Sequence, residues 1–209
     1  MEIQTDKAIQ DVLAEYNRRI QGEDTVRQAL PRHEWLRRRD EFLLEVGEST
    51  AMTLNLLARG AKAKTILEVG TSYGYSTIWL AEAARATGGK VITLDRIADK
   101  QSYAESMLKK AGLDRYVEFR CGDALVLIGE LVEAVDFVLI DLWKDVYIQC
   151  FDAVRSKLAP GAIVIADNMI YPPDNHDAAL AYRKHVRERG MDSVLLPIGH
   201  GIEVSTSRI

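Results

Sequence analysis

Residues 65–76, TILEVGTSYGYS, decide how this chain is read. Ile66, Leu67 and Val69 make a short apolar run broken by Glu68, and Gly70 and Gly74 frame a loop leading into Tyr75 and Ser76. A short apolar run bounded by glycines reads as a buried strand turning into a helix. Gly70 allows the turn without a Cβ penalty, and Gly74 lets backbone come close to a ligand. The next helix then points its unpaired N–H groups at the same place. Asp95 ends the next apolar run, 91–94, where a carboxylate can accept both hydroxyls of a ribose. The order strand, glycine loop, helix, strand, acid favours a nucleoside-containing ligand over a merely structural turn. The GxxxG spacing differs from the GxGxxG of dinucleotide-binding folds.

Outward from that motif, strand and helix alternate. Strands are expected at 66–70, 90–95, 116–120, 136–141 and 162–166, with helices at 76–86, 99–111, 124–133, 146–158 and 176–189. Pro160-Gly161 is read as the turn into the fifth strand. Two last strands, 193–197 and 202–206, meet across Gly199-His200-Gly201 as a hairpin. Upstream, one-face apolar spacing predicts a helix over 5–21 ended by Gly22. A second follows Pro31 and carries Trp35, Leu36, Phe42, Leu43 and Val46 up to Gly47, and a third runs from 49 to Gly60. The fold class is therefore α/β: a doubly wound, Rossmann-like, mostly parallel sheet with an antiparallel C-terminal hairpin, preceded by N-terminal helices. At 209 residues with 47% hydrophobic content, a single domain over 1–209 is expected, 1–60 covering the substrate side and 61–209 binding the cofactor.

A formal charge of −4 argues against general nucleic-acid binding. Arg32, His33, Arg37, Arg38 and Arg39 form the one basic cluster, read first as a solvated helix face. Cys121 and Cys150 are too isolated for a disulfide framework or a zinc site and are read as reduced and structural. No apolar stretch approaches the ~20 residues of a membrane helix, and no apolar leader follows a basic segment, so a cytoplasmic location is expected.

In such sheets ligands lie beyond the C-terminal strand ends. Those ends carry Glu68, Asp95, Asp123, Asp141 and the pair Asp167-Asn168. Carboxylates converging on one crevice repel unless something positive is bound there. Asp141, Asp167 and Asn168, on the fourth and fifth strands, offer hard oxygen ligands that suit Mg²⁺ or Ca²⁺ over zinc. Helix capping and turn formation are the plainer roles for each residue alone. Trp143 and Lys144 follow directly: an indole can wall a slot for a planar ligand, and an ammonium held beside a metal has the depressed pKa of a general base.

Taken together, EVGTSYGYS (68–76), IDLWKDVY (140–147) and IVIADNMIYP (163–172) resemble the cation-dependent, S-adenosylmethionine-using O-methyltransferases, the family of the catechol and caffeoyl-CoA enzymes. LPIGHGIEV (196–204) looks more like the caffeoyl-CoA and bacterial branch. The resemblance runs from about Glu45 to the C-terminus. It implies that Asp141, Asp167 and Asn168 hold Mg²⁺ or another divalent cation such as Ca²⁺ or Mn²⁺, and that Lys144 is catalytic. Gly70 and Ser76 would face the methionine end of the cofactor, Asp95 its ribose, and Asp123 with Ala124 its adenine. The carbonyl of Val46 would meet the cofactor amino group, and Glu68, Tyr75 and Asp141 count among the cofactor residues. Trp143, Lys144 and Asn168 would contact the substrate, an aromatic vicinal diol. Leu142 stands where the catechol enzyme has a histidine, and that enzyme's late diol-gripping carboxylate has no counterpart near residues 194–196. The family's frequent dimers imply a possible homodimer. A tRNA hydroxyuridine O-methyltransferase is the nearest rival reading, and a nicotinamide-dependent oxidoreductase is disfavoured by the glycine spacing.

Overall fold

The computed structural model describes residues 5–207. The strands are β1 (Thr65–Val69), β2 (Lys90–Asp95), β3 (Val117–Cys121), β4 (Val135–Ile140), β5 (Leu158–Ala166), β6 (Met191–Leu196) and β7 (Ile202–Ser207). They form a seven-stranded sheet in the order β3-β2-β1-β4-β5-β7-β6. Pairs among β1 to β5 are parallel, while β7 runs antiparallel to both β5 and β6. The winding reverses between β1 and β4, so the crevice beyond the tips of those two strands is where such a sheet takes a ligand.

Period-two alternation gives each face of the sheet its own core. Ile66, Val91, Phe137, Leu139 and Ile165 face one way. They meet α1 (Lys7–Ala29), α3 (Glu48–Gly60), α4 (Tyr75–Thr87) and α5 (Ala98–Ala111). Leu67, Val69, Ile92, Leu94, Val138, Ile140 and Val164 face the other way. They meet α6 (Ala124–Gly129), α7 (Tyr147–Arg155) and α8 (His176–Glu188). With both faces covered, the central strands can be apolar on both sides. Among the described residues no helix is long and apolar enough to cross a membrane.

Four expectations need correcting. Gly22 does not end α1, which continues to Ala29. A glycine in an exposed helix costs only about 1 kcal/mol, and the seven polar or helix-tolerant residues after it carry the helix on. The segment after Pro31 is helical only over α2 (Arg32–Arg38) and a 3-10 turn, Arg39–Glu41. Phe42, Leu43 and Val46 are buried, as their apolar character demands, but in non-helical backbone. The Leu43 N–H donates to Glu23 (2.6 Å), the Leu43 carbonyl accepts from Ser72 Oγ (2.8 Å), and Leu44 has a φ of 53°. These long-range bonds replace the helical ones. Pro160 and Gly161 do not turn the chain: they lie within β5, where the register with β4 shifts between Val135 and Phe137. An irregularity of this kind is where a strand tolerates proline. Finally, α6 ends at Gly129 and α7 at Arg155, both short of expectation.

Candidate active site

The loop after β1 is built by close approach. Gly70 has a φ of 113°, and a Cβ there would lie 2.1 Å from the carbonyl oxygen of Asp141. The missing side chain is what lets the chain leaving β4 lie directly against the tip of its neighbour β1, where the Asp141 N–H donates to the Val69 carbonyl at 2.9 Å. Gly74 (φ 89°), in the sequence a place for backbone to come close to a ligand, has another neighbour. What approaches it is protein: a Cβ there would meet Ala104 Cβ of α5 at 2.6 Å.

The strand-tip carboxylates fall into two groups. Glu68 is fully buried, and its oxygens accept from the hydroxyls of Ser76, Thr77 and Thr93, each at 2.6 Å. A chain of donors backs it: Gln101 Nε2 donates to Thr71 Oγ1 (3.1 Å), which lies 2.6 Å from Thr93 Oγ1. Burial nevertheless pushes the Glu68 carboxyl up to about 7, with the three hydroxyls opposing the rise. Asp95 accepts from the backbone N–H groups of Ser72 (2.8 Å) and Ile97 (2.9 Å), one on each oxygen, leaving lone pairs for further donors. Asp123 caps α6, accepting from the N–H groups of Leu125 (3.0 Å) and Val126 (3.2 Å), with Ala124 opening that helix.

Asp141 and Asp167 have no such partners. They sit at the ends of β4 and β5, which are paired neighbours. Both carboxylate oxygens of Asp167 are buried without a hydrogen-bond partner, and no donor reaches the Asp141 carboxylate among the described residues. Burial pushes Asp141 up to about 6, the nearby Lys144 partly offsetting it. Asp167 is raised well above the carboxylate range, by burial first and by Asp141 second. Lys144 Nζ donates to the Asp167 carbonyl (2.7 Å) and lies 3.5 Å from the centre of the Tyr147 ring. Burial lowers its pKa to about 8, against the pull of Asp141 and Asp167. Asn168 follows with a φ of 56°, a left-handed conformation that asparagine tolerates, its Nδ2 3.4 Å from His200 Nδ1. The buried Asp167 carboxylate, the half-buried Asp141 carboxylate, both unpartnered among the described residues, and an amide form a set of hard oxygen donors with a charge deficit, which fits a divalent cation. Among the described residues no cluster of three His, Cys, Asp or Glu side chains exists, the third donor here being an amide.

Other expected residues are placed as follows. Val46 is buried, its carbonyl 3.4 Å from where a Cβ on Gly199 would sit. The Tyr75 ring packs edge-on against Tyr16, the centroids 5.6 Å apart. Ser76 has given its hydroxyl to Glu68, so what it offers the crevice is backbone at the start of α4. Leu142 packs into the core on the α7 side of the sheet. Trp143 is half-buried with the Arg39 guanidinium over its ring. Both cysteines are free, Cys121 exposed and Cys150 buried. In the sequence His200 reads only as part of a hairpin turn. Its place beside Asn168, with its ring tilted on Tyr171 (5.1 Å between centroids), follows from the β7 return, and the sole trace in sequence is a histidine held between two glycines.

An O-methyltransferase family model matches residues 7–205. A catechol O-methyltransferase from Niastella koreensis is 36% identical over 131 residues, covering 61% of this chain and 59% of that protein. Caffeoyl-CoA O-methyltransferase 5 from Nicotiana tabacum is 26% identical over 224 residues, 96% of this chain and 90% of the relative. The crystal structure of an O-methyltransferase from Bacillus cereus in complex with SAH superposes with a TM-score of 0.74 at 26% identity, over 99% of this chain and 93% of that one. With its sheet order, its glycine loop and this match along nearly its whole length, the chain belongs to the O-methyltransferase family of S-adenosylmethionine-dependent enzymes.

Proposed function

We propose that this enzyme methylates one hydroxyl of an aromatic vicinal diol and that Asp141, Asp167 and Asn168 hold a divalent cation, Mg²⁺ first among candidates, for that reaction. The observation that carries the proposal is the pair of unpartnered, buried oxygens of Asp167 beside Asp141. Bound there, the cation would supply charge that anchors two neighbouring acceptor oxygens and lowers the pKa of the reacting hydroxyl. Lys144 takes the hydroxyl proton at Nζ: with a pKa of about 8, part of it is neutral near pH 7, and its bond to the Asp167 carbonyl fixes its position. Trp143 walls the acceptor ring. On the donor side, the free lone pairs of Asp95 suit ribose hydroxyls, and the N–H groups at the start of α4, with Gly70, suit the methionine end. Glu68 acts behind Ser76 by fixing the first turn of that helix. Val46, Tyr75, Asp123 and Ala124 complete the donor pocket in this reading. Holding oxygen and methyl in line supplies much of the rate, since little covalent help is needed.

A labelled-methyl assay with catechol tests the proposal. Turnover is expected to vanish with EDTA and return with Mg²⁺. Lys144→Ala is expected to lower kcat by about 100-fold or more while cofactor affinity changes only a few-fold. Full activity in EDTA would contradict the reading.

A further inference from the structure

The arginines of residues 32–39 have different surroundings. Arg32 pairs with Asp174, Arg38 with Glu41 at 2.9 Å, and Arg37 with Glu34 at 4.0 Å. Arg39 differs: it pairs with no carboxylate among the described residues, and its guanidinium carbon lies 3.6 Å from the centre of the Trp143 ring. Trp143 falls between Asp141 and Lys144 in the chain and precedes the 3-10 turn Lys144–Val146. The charge is therefore brought to the proposed acceptor slot by an element from the far N-terminal part of the sequence.

The guanidinium carbon sits over the indole, and no hydrogen bond occupies the Arg39 N–H donors among the described residues, so the contact with the ring leaves them open to a ligand. Arg39 is half-buried, so part of its hydration is already lost without hydrogen bonds to replace it. A planar fork of donors in that state is matched by a carboxylate or phosphate arriving with a ligand. We propose that Arg39 is a specificity-determining residue: it receives an acid group carried by the acceptor, beyond the ring that lies against Trp143. The preferred acceptor is then an anionic aromatic diol over bare catechol. This rests on the reading that the acceptor is held beside Asp141 and Lys144.

The test compares wild type with Arg39→Met, which keeps an apolar contact on Trp143, and Arg39→Lys, which keeps the charge. Acceptors are catechol, 3,4-dihydroxybenzoate and 3,4-dihydroxyphenylethyl phosphate. Arg39→Met is expected to lower kcat/KM for at least one acid by about tenfold more than for catechol, mainly through KM, with Arg39→Lys recovering part of the loss. Which acid is affected separates carboxylate from phosphate recognition. Equal losses for all three acceptors would overturn the proposal, leaving Arg39 as a prop for the indole. If no acceptor is turned over, the diol reading has failed, and calorimetric binding of the same acids decides this one. A roughly tenfold weaker acid affinity in Arg39→Met would uphold it, and unchanged affinity would overturn it.

Discussion

Glu68 is buried among hydroxyls in place of cations, and this has a consequence for stability. Its folded pKa, about 7, lies above the ordinary carboxylate value of 4.5, so the folded protein holds this proton more tightly than the unfolded chain does. The contribution is present in full below the ordinary value and is lost as pH rises through about 7. Over that window it should amount to on the order of 3 kcal/mol. Urea midpoints measured with chelator present should therefore show Glu68→Gln gaining on wild type as pH rises; parallel curves would contradict the assignment. Gly70 makes a sterically sharper case. With φ at 113° and a Cβ 2.1 Å from the Asp141 carbonyl, Gly70→Ala should cost roughly 3 kcal/mol or more in denaturant unfolding. Unchanged stability would show that the β1 and β4 tips can separate.

The C-terminal hairpin is fastened to α8 by one carboxylate. Glu203 is fully buried and accepts from Arg183 Nε (2.7 Å), Arg187 Nη2 (3.1 Å) and Ser193 Oγ (2.8 Å). Replacing both arginines with methionine would leave it with Ser193 alone, and a buried charge stripped of its partners costs about 3–5 kcal/mol. A loss below about 1 kcal/mol by urea unfolding would mean that the hairpin is held otherwise. Elements of this kind were the legible part of the sequence. Apolar runs that end in glycine or aspartate placed the C-terminal tips of the five parallel strands to within a residue, because a strand covered on both faces admits little else, while the start of β5 was missed by four residues at Pro160-Gly161. The stretch 39–47 was not legible. Its apolar residues match a helical period, yet its backbone partners are Glu23 and Ser72, far away in sequence. Nor can periodicity show which arginine of 32–39 reaches an indole more than a hundred positions later.

Across the whole molecule, the acidic strand tips visible in sequence resolve by donor supply. Hydroxyls satisfy Glu68, one backbone N–H partners each oxygen of Asp95, and Asp123 caps a helix. Asp141 and Asp167 are left facing one another's charge across β4 and β5, with a single lysine nearby. Sequence placed these residues at the strand ends, while their isolation from donors could be seen only once the chain was folded. The proposed chemistry depends on that residual negative charge being matched by a cation. Calorimetric titration of Mg²⁺ into the wild-type chain and into Asp167→Asn measures this directly. Saturable binding of a single cation by wild type, lost or weakened at least about tenfold in Asp167→Asn, is the predicted result. Equal binding by both proteins, or none by wild type, would contradict the account.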